Sequence, residues 1–214
     1  MTSANLRIHQ LPLGQMDNYV YIVADAASGK AVVIDPGFEA GAILAAAGKH
    51  NYELTAIWLT HGHGDHTAAV GDILAQRPVP LILPRQMPDK WRPTAAQITE
   101  IDDGDTLRVG DIPFQVIYTP GHSPDGTCFL HGNHLLAGDT LFIDGCGRCD
   151  LPDSDVNAMY ESIHGRLMNL PDETIIYPGH NYGPKPSDTL ENQKRTNRFM
   201  VAASKEAFVR ERMG

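Results

Sequence analysis

Thr60-His61-Gly62-His63-Gly64-Asp65-His66 is the stretch from which the rest of the chain can be read. It follows Leu54–Leu59, an apolar run with the look of a buried strand, and precedes a segment with Val70, Ile73 and Leu74 on one helical face. Three imidazoles and a carboxylate between residues 61 and 66 are costly to gather unless something neutralises them. In an extended loop, residues two apart point the same way, so His61 and His63 can converge on one point. Asp65 and His66, at the turn into the helix, can face a second point nearby. Neutral imidazole and carboxylate are ligands that suit zinc, iron or manganese.

Three further residues share that placement at the end of a β-run beside glycine. They are His122 in Thr-Pro-Gly-His-Ser, Asp139 in Leu-Ala-Gly-Asp-Thr and His180 in Tyr-Pro-Gly-His-Asn. Glycine lets the backbone turn sharply and present a ligand at a sheet edge. Five histidines and two aspartates then suffice for two metals with three protein ligands each, with Asp139 as the bridge. His9, His50, His131, His134 and His164 have no metal spacing and are expected to be ordinary core or surface side chains.

The motif at residues 61–66, with His122, Asp139 and His180, resembles the metallo-β-lactamase superfamily over residues 6–182. Within it the chain is most similar to hydroxyacylglutathione hydrolases (glyoxalase II) and to persulfide dioxygenases. The resemblance implies an α/β or α+β fold, an αββα sandwich of two mixed sheets flanked by helices, with the site at one edge between the sheets. It implies one metal on His61, His63 and His122, a second on Asp65, His66 and His180, and Asp139 between them. Asp65 and Asp139 are then the catalytic carboxylates. In the family, the loops that hold Gly145-Cys146-Gly147-Arg148 and Tyr182 here meet the glutathione moiety, so Arg148 and Tyr182 are the expected substrate-binding residues.

The expected activity is hydrolysis of a hydroxyacylglutathione-type thioester, with two divalent metals, zinc first and iron as the alternative. A metal lowers the pKa of bound water from roughly 15.7 to about 7, so no side-chain nucleophile is needed. That agrees with the lack of a Gly-x-Ser-x-Gly elbow. An alternative is a mononuclear iron persulfide dioxygenase, whose Gly-Arg-Thr-Asp run and ending resemble Gly145–Asp150 and Thr189–Asn197. Another superfamily hydrolase, such as a lactonase or β-lactamase, is the remaining enzyme option. Glyoxalase II enzymes carry an added helical region with basic residues for glutathione, whereas residues 181–214 leave room for about one helix. Lys185, Lys194 and Arg195 are either substitutes for those contacts or solvated surface charges. Cys146 and Cys149 are either incidental thiols or a redox pair, and a redox pair predicts a depressed thiol pKa near Arg148.

Composition bounds the rest. The chain has 214 residues, 42% of them apolar and 20% charged, which fits one globular domain over residues 1–214. Net charge is −9, which argues against nucleic acid as a partner and leaves a small molecule as the expected one. No apolar run approaches the ~20 residues that span a bilayer. The opening MTSANLRIHQ does not read as an export leader, and with three cysteines a cytoplasmic location is the expectation. Strands are expected at Asn18–Ala24, Ala31–Ile34, Val79–Leu83 and Thr174–Tyr177, with a β-rich region from Ile98 to Leu141. Helices are expected over residues 39–48, after the Asp155 cap with a stripe of Val156, Met159, Ile163, Leu167 and Leu170, and from an Asp188 capping box onward.

Overall fold

Apolar runs too continuous for a strand with one wet face mark the middle of this protein. In the computed structural model, which describes residues 3–214, Tyr19–Asp25 is buried along its whole length. Met1 and Thr2, at the head of the opening read for a leader, lie outside the described residues. Such a strand needs cover on both faces, and the layers supply it. The first sheet runs in the order β1 (Leu6–Pro12), β2 (Tyr19–Asp25), β3 (Lys30–Ile34), β4 (Glu53–Trp58), β5 (Leu81–Pro84), β6 (Ile98–Ile101). Its first three strands are antiparallel, and β3 through β6 pair in parallel.

The second sheet uses β7 (Thr106–Val109), β8 (Ile112–Tyr118), β9 (Thr127–His131) and β10 (His134–Gly138). A short ribbon, β11 (Leu141–Phe142) with β12 (Gly145–Cys146), follows, and β13 (Ile175–Pro178) and β14 (Asp188–Thr189) complete the sheet. Its order is β14-β13-β10-β9-β8-β7, with β10 and β13 parallel and the other pairs antiparallel. Both sheets are therefore mixed.

Alternation along each strand divides the apolar side chains among three cores. Tyr21, Val23, Val32, Ile34 and Trp58 of the first sheet meet Phe114, Val116, Phe129 and Leu136 of the second. Trp58 anchors that contact, with ring centroids 5.6 Å from Phe114 and 5.3 Å from Phe129. The opposite face of the first sheet (Val20, Ile22, Val33, Ile57) takes Ile43 and Ala47 from α1 (Ala40–Lys49). Beyond α2 (Gly64–Thr67), α3 (Val70–Gln76) adds Val70 and Ile73 to the same core. The outer face of the second sheet (Cys128, Leu135, Ala137, Ile176) takes Met159 from α4 (Val156–Tyr160) and Leu190 from α5 (Leu190–Thr196). Phe208 of α6 (Lys205–Met213) completes that layer. This is the expected αββα sandwich.

Three local expectations are corrected. Leu6–Pro12 is a strand that the sequence reading left out, because its polar residues and proline hide the period while pairing with β2 holds it in place. The helix after Asp155 starts as expected, with the Asp155 carboxylate accepting from the Asn157 and Ala158 amides. It then widens into a π-helix over Glu161–Arg166 and tightens to 3₁₀ over Leu167–Asn169. Side chains there are tied outward, Ser162 donating to the Pro120 carbonyl and Arg166 to the Tyr118 carbonyl. The tail is two helices, and the first is capped by Thr189, whose hydroxyl accepts from the Asn192 amide. Asp188 instead accepts from the Gln193 side chain, so the expected capping box does not form.

Candidate metal centre

All seven residues picked out as ligands sit just past the C-terminal ends of strands: His61–His66 after β4, His122 after β8, Asp139 after β10 and His180 after β13. The folding brings them together at one edge of the sandwich. His61, His63 and His122 offer nitrogens within 4.8 Å of one another, and Asp65, His66 and His180 form a second such set. Asp139 reaches both, with Oδ2 3.4 Å from His122 Nε2 and 3.2 Å from His180 Nε2, and Oδ1 3.4 Å from His66 Nε2. Two glycines make this approach possible. Gly138 adopts φ 48°, and a Cβ there would lie 2.5 Å from Thr60 Oγ1. A Cβ on Gly179 would fall on Asp139 Oδ1.

Hydrogen bonds on the far side of four of the five rings fix which nitrogen faces inward. His122 Nδ1 donates to the Arg148 carbonyl at 2.9 Å, and His180 Nδ1 to the Met16 carbonyl at 2.8 Å. His66 Nδ1 faces Asp35 Oδ2 at 3.2 Å. Thr60 Oγ1 donates to the same Asp35 oxygen at 2.5 Å, which leaves it to accept from His61 Nδ1 at 3.1 Å. The inward atoms of these four rings therefore carry lone pairs when neutral, yet ring nitrogens of the site face one another. His63 Nδ1 lies 2.9 Å from His122 Nε2, and His66 Nε2 lies 3.2 Å from His180 Nε2. His61 Nε2 and Asp139 Oδ1 are buried with no hydrogen-bond partner. Converging lone pairs and orphaned buried acceptors fit a divalent cation in each set.

The electrostatics agree. Burial holds His61 well below the ordinary imidazole range, and burial with the neighbouring His122 brings His63 down to about 4. Those rings are neutral and ready to ligate. For His66, burial opposes the proton but Asp139, Asp35 and Asp65 outweigh it, raising the pKa to about 9. Burial is likewise overridden at His180 by Asp139 and Asp65, to about 10. Asp139 and Asp65 are held well below the carboxylate range despite burial, chiefly by His66 for the former and His180 for the latter. A proton on those histidines occupies the place a cation would take.

Residues 13–180 match the Metallo-beta-lactamase superfamily model, a span that contains all seven of these residues. The chain belongs to that superfamily. It is 30% identical over 193 residues to a probable polyketide biosynthesis zinc-dependent hydrolase, PksB, of Bacillus subtilis, covering 90% of this chain and 86% of that one. A hydroxyacylglutathione hydrolase of Xanthomonas axonopodis pv. citri is 40% identical over 78% of this chain, a match that spans 62% of its length. Among solved structures, ETHE1 from Myxococcus xanthus superposes with a TM-score of 0.88 at 30% identity, over 97% of this chain and 90% of that chain.

In this superfamily member the ligand sets open onto a cleft of about 610 Å3, lined among others by Arg148 and Tyr182. Tyr182 stacks on His180, centroids 4.6 Å apart and 10° from parallel, with 56% of its surface exposed. Arg148 is forked to Asp150 at 2.7 and 2.8 Å. Lys185, Lys194 and Arg195 line none of it and instead pair with Asp188, Asp172 and Glu191. Cys146 and Cys149 are buried free thiols, and burial pushes Cys146 up and Cys149 to about 12, so the low-pKa thiol of a redox pair is not there.

Asp35 escaped the sequence reading. Asp35-Pro36-Gly37 reads as a strand-closing turn, yet its carboxylate serves one ring in each set: His66 directly and His61 through Thr60. Asp35, His61 and His66 also fall within 4.8 Å of one another, but their facing ring nitrogens are engaged in these hydrogen bonds, so Asp35 orients ligands. Its signal was the positive φ of 51° at a non-glycine residue, which is invisible in sequence.

Proposed function

We propose that the chain is a binuclear metal-dependent hydrolase that cleaves thioesters of the hydroxyacylglutathione kind. The observation that carries the hydrolytic half is the pair of ligand sets sharing Asp139. When bound, two divalent metals supply hydroxide at neutral pH and polarise a carbonyl. The chain's own contribution is positional. His122 and His180 are locked by backbone carbonyls, His66 by Asp35 and His61 by Thr60, so the donors do not reorganise as charge develops. A thiolate is a fair leaving group, so no general acid is demanded of the cleft.

The thioester half is supported by the hydroxyacylglutathione hydrolase relative and by a cleft of ordinary small-ligand size, about 610 Å3. Zinc is supported by the name of the Bacillus relative. Turnover of a glutathione thioester by protein carrying two metals per chain tests this reading. Arg148→Ala should then raise KM far more than it lowers kcat, because it removes contacts common to ground and transition states. One iron per chain, with oxygen consumed and no thioester cleaved, would replace the reading with the dioxygenase one. His180→Ala sharpens the contrast: a binuclear hydrolase should lose one metal and about 10²-fold in rate, whereas the single iron of a dioxygenase on His61, His122 and Asp139 should remain.

A further inference from the structure

Among the described residues, His63 is the one ring of the five with no hydrogen bond on its far side; its Nδ1 faces His122 Nε2 at 2.9 Å. Its backbone is held, since its carbonyl accepts from Thr67 Oγ1 at 3.1 Å, but that bond does not stop the imidazole turning about its own side-chain torsions. A side chain that must be frozen when a cation arrives costs affinity, which is why ligating histidines are usually tied from behind. Here a second ring takes the place of the missing tie. Trp91 lies against His63 with centroids 4.8 Å apart and planes at 70°, an edge-to-face contact.

The mount under that indole is rigid. Trp91 closes a single 3₁₀ turn (Asp89–Trp91) in the loop between β5 and β6, its amide donating to the Pro88 carbonyl at 2.9 Å. The neighbouring Arg92 guanidinium donates to the Met87 and Arg85 carbonyls at 3.0 and 2.8 Å and to Glu100 of β6 at 2.6 Å. Lys90 places its ammonium 5.2 Å from the centre of the indole. On the other side the loop presses on Gly62, between His61 and His63. A Cβ on Gly62 would lie 2.7 Å from the Trp91 Cβ and 3.1 Å from the Met87 side chain. The indole is thus seated on the His61–His63 turn.

We propose that Trp91 is a positioning residue for His63, so that it sets the metal affinity of the set His61, His63 and His122 and not that of Asp65, His66 and His180. The proposal rests on the binuclear reading for its division into two metals and owes nothing to the substrate. The probe is cobalt(II) alone, followed by its visible absorption as metal-free protein is titrated. Trp91→Leu, which fills space but has no ring, should weaken one of the two binding steps about 3- to 10-fold, the worth of an edge-to-face pair, and leave the other unchanged. Trp91→Phe should restore most of the loss.

Two backgrounds assign the affected step. In His180→Ala, which keeps the first set whole, Trp91→Leu should weaken the remaining cobalt and alter its spectrum. In His122→Ala, which keeps the second set whole, it should do neither. A merely structural Trp91 would lower the melting temperature of the metal-free protein and act alike in both backgrounds. Equal weakening of both steps, no weakening of either, or a loss that Trp91→Phe does not recover overturns the proposal. Should the unaltered protein take up a single cobalt, the binuclear reading falls. The positioning role then stands if Trp91→Leu weakens that ion and fails if it does not.

Discussion

Asp139 is the residue that the two candidate ligand sets share, since its two oxygens face His66 on one side and His122 and His180 on the other. Asp139→Asn should therefore weaken both metals together, and elemental analysis after dialysis should find well under two per chain. Retention of two tightly held metals would remove the bridging role. Asp35→Asn tests the support behind the ligands: metal affinity should fall about 10–100-fold, the usual effect of losing an outer partner of a ligating histidine. Competition with a chelator would measure it. Protons provide a third check. With His66 and His180 titrating at about 9 and 10, the metal-free site is protonated at pH 7. Metal uptake at that pH should release protons, seen as a buffer-dependent heat in calorimetry. Both pKa values are raised by folding, so their stabilisation of the metal-free protein is full below about 6.5 and fades as pH rises through 9 to 10. Thermal melts of metal-free protein should therefore fall between pH 7 and pH 10.5. The candidate ligands are legible because imidazoles and glycines cluster in sequence. Asp35 was not, because one aspartate in a turn carries no periodic signal.

The elements were readable where the local pattern alone decides them. Asp155 is an N-cap by its chemistry and caps in the structure, so Asp155→Ala should cost about 1 kcal/mol, readable as a shift in denaturant midpoint with unchanged slope. Elements held by distant partners were harder to see. Leu6–Pro12 is a strand only because β2 lies beside it. The tail breaks at Asn197, whose side chain leaves the helix to hold the Phe142 and Gly145 carbonyls, and nothing near Asn197 in sequence announces those partners. Arg198 and Arg212, which line the cleft from beyond that break, have no sequence signal for the same reason. Arg212 sits in a polar helix that reads as surface, and only the return of α6 to the second sheet puts its side chain at the cleft.

At the scale of the whole molecule, the two mixed sheets and their helical covers were what the resemblance carried by the His-Asp motif implies, and the structure bears that out. No helix among the described residues is long and apolar enough to cross a membrane. The order of the ligands along the chain has a further effect. His61, His63, Asp65 and His66 follow a strand of the first sheet, whereas His122, Asp139 and His180 follow strands of the second. Each ligand set therefore draws on both sheets, and a metal seated in either one cross-links the two halves of the sandwich at their edge. Binding that requires both halves to be in place is a mass-action drive toward the folded state, worth about 2.7 kcal/mol at a free metal concentration a hundred times Kd. The melting temperature should climb with the logarithm of free metal, and a chelator should loosen amide protection first where β4 and β10 deliver their ligands. Metal supply would thus govern how much of this protein persists in a proteolytic environment, as well as how fast each molecule works.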